Sequence, residues 1–562
     1  MLQDAVPGGT SFKFTVNGVD VYAKGANWVP ADTFNGRVTD AMLGGLFNSY
    51  AAANFNMLRV WGGGVYQSDA FYNMADAAGF MVWQEFMFAC ALYPVTDPFL
   101  VSVAGEVAAA VARVQPHASV VVWGGNNENG ISLGDNWYGI PAANMSQYVA
   151  EYSTLVFDTV LANFTDAWRP AVSTSPSDGD DGPANPIPTS PGIVSGDIHF
   201  YTSADCWVPS TWPRSRFTSE YGFNSYASYI TMAGVTTPAQ GTLADPIWAW
   251  RDHSGGAAAI TAMRAAVAAH YPSPAQDAYI RDWLWMSQVA AGVCLKLETE
   301  HYRRIRDEYI NNAGGNMGAL YWQANDIWQG ASWSTVEYGG RWKVGHYYIG
   351  AAFAPDAVSL LYDYVAQTGA VYVVHDTLDG GLSGTITLTA YGWTQGALST
   401  WSLPFTMAGA SAGAIATFTT TELLINTGCP SAAECVIVAT ETDGLGTVRA
   451  TNWLLLSSIT PSTPLLNPHL NITRVYTNGP GSFMVAFTGT APAPFVWFET
   501  PLPGYFSTNG FMFVDVTGYN TVTFTSPNAT LTAAALAATL QVWSMYDVWA
   551  GTPLPPIPPL SA

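Results

Sequence analysis

The chain has 562 residues, with 19 Lys or Arg against 41 Asp or Glu, for a formal charge of −22. That balance excludes nucleic acid and anionic membrane surfaces as partners, because both are bound through clustered cations. With 49% hydrophobic and only 11% charged residues, disorder driven by charge is also excluded, and the length calls for several domains.

In chain order, Phe12–Val16 and Asp20–Tyr22 flank Asn17-Gly18 and predict a β-hairpin. Lys24–Asn27 follows as a strand end. Thr39 is placed to cap a helix running to Ala53, and Asn56–Trp61 is a buried strand. A helix between Ser68 and Gly79, a strand at Phe80–Gln84, a helix from Phe99 to Pro116 and a strand at Val120–Trp123 continue the alternation. Met145–Ala162 is predicted helical and Ala171–Thr174 a short strand. The Ser/Pro/Asp/Gly-rich stretch Ser175–Gly192 is a loop. Ile193–Tyr201 and Arg216–Glu220 are strands, Arg281–Ile310 a helix, and Ala319–Gln323 the eighth strand. Eight β/α units predict an α/β TIM barrel over 25–355. After Pro355, short runs of Thr, Val and Tyr broken by Asp379-Gly380-Gly381 and Asp443-Gly444 predict two β-sandwich, immunoglobulin-like domains. These are placed at 356–465 and 466–562, the latter ending in the Pro-rich tail Pro553–Pro559.

None of the five cysteines forms a CxxC pair, so neither a zinc ribbon nor a thioredoxin-type centre is expected. Cys429 and Cys435 either close a small disulfide or remain thiols. The sequons at Asn144, Asn163, Asn471 and Asn528 are no more than chance provides. Met1–Gly9 lacks the pattern of a leader peptide. The Ala-rich stretch Leu531–Ala550 is interrupted by Gln541, Ser544 and Asp547 and falls short of a membrane span.

Catalytic groups in a TIM barrel stand where strands end. Glu128 follows the strand at Val120–Trp123 through Gly124-Gly125-Asn126-Asn127, and Glu220 ends Arg216–Ser219. Two such carboxylates about 5–5.5 Å apart suit a retaining glycosidase, and a wider pair suits an inverting one. The bland reading is two solvated loop acids. Gly62-Gly63-Gly64 has the wrong spacing for a dinucleotide loop and fits a strand-end turn. Glu298, Glu300 and His301 lack a third ligand at metal-binding spacing and are expected on a solvated helix face, so no metal site is expected there.

The segments Asn27–Asp32, Leu58–Tyr66, Met81–Pro94, Gly124–Asn129, Phe217–Gly222 and Leu320–Gln329 together resemble the β-mannosidases of glycoside hydrolase family 2, above all the animal lysosomal type. The resemblance covers essentially the whole chain and is weaker past Pro355. It implies a retaining exo-β-mannosidase that needs no cofactor, acts on β-mannoside oligosaccharides and resides in the lysosome. It further implies Glu128 as general acid/base, Glu220 as nucleophile, and Asn127 in contact with the sugar 2-hydroxyl and the nucleophile. Arg59 is the cation expected to hold Glu220 ionised. Tyr201 resembles an active-site tyrosine near the nucleophile, and His199 either lines the same wall or is a satisfied core histidine. Trp61 and Trp322, and behind them Trp137 and Trp328, resemble the aromatic lining of a sugar pocket. Glu85 stands where the family usually has Asp and is expected to anchor hydrogen bonds beneath the pocket. Members of the family carry β domains ahead of the barrel, so residues 1–24 are expected to be the last hairpin of such a region, in a fragment or a shortened protein. The alternatives are another family 2 β-glycosidase and an inactive, sugar-binding homologue. The sequence does not fix the oligomeric state.

Overall fold

The computed structural model of the chain describes residues 3–179, 181–188, 192–378 and 380–558. Asp379 and Pro559, at the edges of two predicted turn and tail segments, lie outside the described residues, as do four positions within or next to the predicted loop Ser175–Gly192. The chain divides into two compact units. One holds residues 1–204, 212–222 and 301–327, and the other holds 205–211, 223–300 and 328–562.

The first unit contains eight parallel strands: Ala23–Trp28, Met57–Val60, Met81–Glu85, Val120–Gly124, Ala171–Val172, Ile198–Phe200, Thr218–Tyr221 and Gly318–Tyr321. The eighth pairs with both the first and the seventh, so the ladder runs unbroken from the sixth strand round to the fifth. An isolated antiparallel bridge between Ser177 and Asp197 lies beside the remaining gap. This is the TIM-type barrel expected of the β/α alternation. The predicted strand Ile193–Tyr201 shrinks to Ile198–Phe200, because Gly192 (φ 71°) and Gly196 (φ 73°) turn the chain just before it. The predicted helix Arg281–Ile310 ends at Arg304 and gives way to a hairpin turning through Asn311 and Asn312, both at positive φ.

Local chemistry explains the elements around the site. Thr39 caps the helix Asp40–Ala52 by accepting from the Met42 N–H, and Gly79 in the left-handed region stops Asp69–Ala78. The outward face of the strands buries Leu58 and Val82, while Trp28 packs on Phe71 at 4.8 Å and Phe47 stacks on Phe80 at 5.6 Å. The interior is filled by Met57, Met81, Trp83, Val122, Phe217 and Leu320 together with Phe12 and Phe14. The last two come from the hairpin Phe14–Val16/Val19–Val21 and the residues just before it, so this segment supplies barrel core. Phe12 lies over Trp83 with ring centres 5.8 Å apart. Burying one such ring is worth about 1.5–3 kcal/mol.

In the second unit, strands of 356–375 and 411–419 form one sheet, and those of 382–407 and 435–455 another, around Val358, Val371, Ile386, Leu388, Phe418 and Ile437. A further pair of antiparallel sheets within 471–543 encloses Phe483, Val485, Phe498, Phe513 and Phe524. A helix at Thr420–Thr427, capped by Thr419 and Glu422, was not anticipated. Cys429 and Cys435 are paired, as are Cys206 and Cys294, whose partnership across 88 positions has no sequence signal. The expectation of a solvated face at Glu298, Glu300 and His301 is wrong, because all three are buried. Glu300 meets Lys296 at 2.8 Å and accepts from Ser359 and Asn452. His301 meets the Pro213 carbonyl, and burial pushes it down to about 3, so it stays neutral.

Candidate active site

At the C-terminal mouth of the barrel the polar residues converge on one guanidinium. Arg59, on the second strand, is fully buried. Its Nη1 donates to Asn27 Oδ1 (2.5 Å) and Glu220 Oε1 (2.6 Å), and its Nη2 to Glu85 Oε1 (2.8 Å) and Asn127 Oδ1 (2.7 Å). The planar fork thus ties together the ends of strands one, two, three and seven and the loop after strand four. Its charge is secured above the usual arginine range: burial opposes this, but Glu85 and Glu220 outweigh it. Asn27 also donates to the carbonyl of Ser219, beside Glu220.

Glu85 is held from two sides, by Arg59 and by the Gly62 N–H at 2.8 Å. Gly62 is needed here, since a side chain would stand 2.6 Å from the Phe86 carbonyl. Burial still pushes Glu85 up to about 7, against the pull of Arg59 and the amide.

Glu128 reaches the mouth through a strained backbone. It sits at φ 59°, ψ 1°, at the start of the short helix Asn129–Gly134. Asn126 fixes this turn, donating to the Ser173 carbonyl and accepting from the Asn129 N–H and the Thr174 hydroxyl. Gly125 crosses so close to Ser173 that a Cβ would lie 2.2 Å from its carbonyl oxygen. The carboxylate then meets His199 Nδ1 at 2.7 Å through Oε1 and the Cys90 thiol at 3.2 Å through Oε2.

Glu220 Oε2 accepts from the Tyr201 hydroxyl at 2.8 Å and lies 3.4 Å from His199 Nδ1. Oxygens of Glu128 and Glu220 and a ring nitrogen of His199 all lie within 4.8 Å of one another. His199 is oriented from behind. Ser175 and Ser219 both donate to Asp197 Oδ2, while Ser177 satisfies Oδ1 through its N–H and hydroxyl. With its proton on Asp197, the Ser175 oxygen accepts from His199 Nε2 at 3.1 Å. Nδ1 therefore faces the two glutamates. Burial lowers the affinity of His199 for a second proton, but Glu220 and Glu128 outweigh it and draw it above the ordinary histidine value. Burial raises Glu128, but the His199 hydrogen bond and charge, with Cys90 and Arg59, bring it below the ordinary range. Together they describe one proton held between two atoms 2.7 Å apart. Tyr201 is held well above its ordinary value by burial and by Glu220, so it remains a donor.

Trp61 and Trp322 meet edge to face, ring centres 5.0 Å apart. Asn127 reaches Arg59 and Cys90, and among its hydrogen bonds none goes to Glu220. Trp137 has a half-exposed ring (53%), and Trp328 belongs to the other compact unit, where it packs on Arg251 and His253. Asp197, Ser175, Asn27 and Cys90 carried no assigned part in the sequence reading. Period-two alternation puts Asp197 on the face of His199 and Tyr201, and that was the one signal available for it.

Residues 465–548 match an Ig-fold domain family. The bovine (Bos taurus) β-mannosidase is 37% identical over 531 residues, covering 91% of this chain and 58% of the relative. The β-mannosidase A of Aspergillus fumigatus is 32% identical over 417 residues, 69% of this chain and 44% of that one. Among solved structures, the β-D-mannosidase of Dictyoglomus thermophilum superposes with a TM-score of 0.79 at 24% identity, over 96% of this chain and 62% of that one. The exo-chitosanase of Amycolatopsis orientalis does so with 0.70 at 16% identity, over 98% and 65%. The last two establish the fold. The chain spans about 58% of the length of the mammalian relatives it matches.

Proposed function

We propose that this chain, a homologue of the β-mannosidases, hydrolyses terminal non-reducing β-linked mannose from oligosaccharides with retention of anomeric configuration. The observation that carries the mechanism is the approach of Glu128 and Glu220 oxygens to within 4.8 Å. An inverting pair stands about 6.5–9.5 Å apart to admit a water between sugar and base, whereas a retaining pair stands at about 5–5.5 Å. The kinship with animal β-mannosidases supports the choice of sugar. It also supports glycoprotein oligosaccharides as the source and the lysosome as the compartment.

The two acids are differentiated by their partners. Glu220 is locked to Arg59 and accepts from Tyr201, which keeps an electron pair available for the anomeric carbon. Glu128, sharing a proton with His199, is the acid. In the first step a Glu220 oxygen bonds to C1 while the C1–O bond to the leaving group breaks, and the leaving-group oxygen takes the proton from Glu128. In the second step a water loses its proton to Glu128 and attacks C1, and Glu220 leaves as a carboxylate. His199 passes the proton on through the 2.7 Å contact, so Glu128 need not carry it at rest. Trp61 and Trp322 offer apolar faces to the sugar ring.

A panel of aryl β-glycosides with the first-formed anomer read by NMR tests this. Hydrolysis confined to the mannoside with β-mannose formed first is the expected result. First formation of α-mannose overturns retention, cleavage of another glycoside alone points to a different family 2 activity, and no cleavage of any points to a binding protein.

A further inference from the structure

The loop that follows the third strand and the turn that carries Glu128 run side by side. Ala89 pairs with Asn127 in a parallel bridge, Cys90 donates its N–H to the Asn127 carbonyl at 3.1 Å, and Asn129 Nδ2 donates to the Ala91 carbonyl at 3.3 Å. A cavity of about 310 Å³ begins at Ala91 and Asn129, one residue past Cys90 and one past Glu128. The buried Leu133 and Leu155 line it together with Leu92 and the half-exposed Tyr93, Tyr148 and Glu151, so it is open on one side.

The polar groups of this cavity are acceptors. Asn129 is only 4% exposed, and with Nδ2 spent on Ala91 its Oδ1 has no hydrogen-bond partner. An empty buried acceptor is costly, so this atom points to a donor that the cavity receives. Tyr148 and Glu151 stand three positions apart on the helix Met145–Leu155, hence on one face of it. Glu151 engages Gln147 through Oε1, which leaves Oε2 as a further acceptor. Among the described residues that line the cavity there is no Lys, Arg or His. It therefore suits a neutral ring bearing hydroxyls and resists an anion.

The nucleophile and the leaving group lie on opposite faces of C1 in each displacement. Arg59, Tyr201 and His199, the partners of Glu220, do not line the cavity. Both segments that line it beside the barrel mouth adjoin Glu128 instead: Asn129 follows it, and Ala91 follows Cys90, whose thiol meets Glu128 Oε2 at 3.2 Å. We propose that this cavity is the subsite for the neutral pyranose on the leaving-group side of the scissile bond. Hydroxyls of that ring donate to Asn129 Oδ1 and Glu151, and Tyr93 and Tyr148 flank it. This role rests on Glu128 being the acid.

Comparing β-1,4-mannobiose with methyl β-mannoside isolates the subsite. Both lose an alkoxide that needs the acid, but only the first carries a ring to fill the cavity. In the wild-type chain kcat/KM for mannobiose should exceed that for the methyl glycoside at least about tenfold, and Tyr148→Ala and Glu151→Leu should each cut this ratio about three- to tenfold. Both positions are half-exposed, so the variants should fold, which circular dichroism checks. A wild-type ratio near one, or a ratio that neither variant moves because both substrates slow alike, overturns the subsite and leaves the catalytic reading standing. Hydrolysis of neither substrate by the wild-type chain overturns the catalytic reading and the subsite with it.

Discussion

Two buried glutamates, one in each compact unit, are both pushed up to about 7 by burial, yet they stand in opposite surroundings. Glu85 has Arg59 on one oxygen and the Gly62 amide on the other. Glu441, in the strand Cys435–Asp443, has no hydrogen-bond partner on either oxygen, and the repulsion from Asp356 acts on it more strongly than the opposing pull of Arg449. The first is a charge kept in place by a network that serves the barrel mouth. The second is a carboxyl whose burial favours the neutral acid up to about pH 7. The same proton affinity therefore marks a supported charge in one region and an unsupported one in the other.

The largest effect that would sharpen this contrast is expected from Arg59→Met. It strips the shared cation from Glu85 and Glu220 and should lower kcat/KM by about 10³-fold, with about 3–5 kcal/mol lost from stability. Near-normal turnover of an aryl β-mannoside would show that Arg59 does not sustain Glu220. Glu85→Gln should act in the same direction but less strongly, destabilising the chain by about 1–3 kcal/mol at pH 8, because Arg59 loses an ionic acceptor. Glu441→Met should do the reverse. Glu441 has a folded-state value raised from 4.5 to about 7, so the folded chain binds more protons than the unfolded one between those limits. Its contribution is present below 4.5 and is lost as pH rises toward 7. Removing it should raise stability at pH 8 by about 2 kcal/mol and leave kcat/KM unchanged. Urea melts of the two variants at pH 5 and pH 8 check both signs, and like signs at pH 8 would break the comparison.

The smallest effect concerns the shared proton. His199 is drawn above 6.5, so the acid form of the Glu128–His199 pair persists past that point. The alkaline limb of kcat/KM should accordingly fall above pH 6.5, and a limb near 4.5 would mean that Glu128 titrates without His199.

The parts legible in the sequence are those set by local pattern. Glu128 stands out because the apolar run Val120–Trp123 leads to it, Glu220 stands out through the family resemblance of Phe217–Gly222, and the hairpin around Asn17-Gly18 follows from turn chemistry. Arg59 is legible as a charge inside a hydrophobic run. The links between strands are not. Nothing in sequence places Asp197 behind His199 through Ser175, since that contact depends on a loop returning across 22 positions. Burial of Glu300 and His301 was misread because the helix Ile280–Arg304 is nearly as polar as a surface helix and yet is enclosed. Trp137 and Trp328 enter through the family resemblance, because no local pattern in the sequence separates a pocket ring from a core ring.

The central claim is that Glu220 forms the covalent bond to the sugar. Incubating the chain with an activated 2-deoxy-2-fluoro-β-mannoside, which slows departure of the second step more than arrival of the first, followed by peptic digestion and mass spectrometry, measures this directly. The account predicts one glycosyl adduct, on the peptide carrying Glu220, and none in Glu220→Ala. An adduct on Glu128 or on Glu85, or turnover of substrate by Glu220→Ala at the wild-type rate, would contradict it.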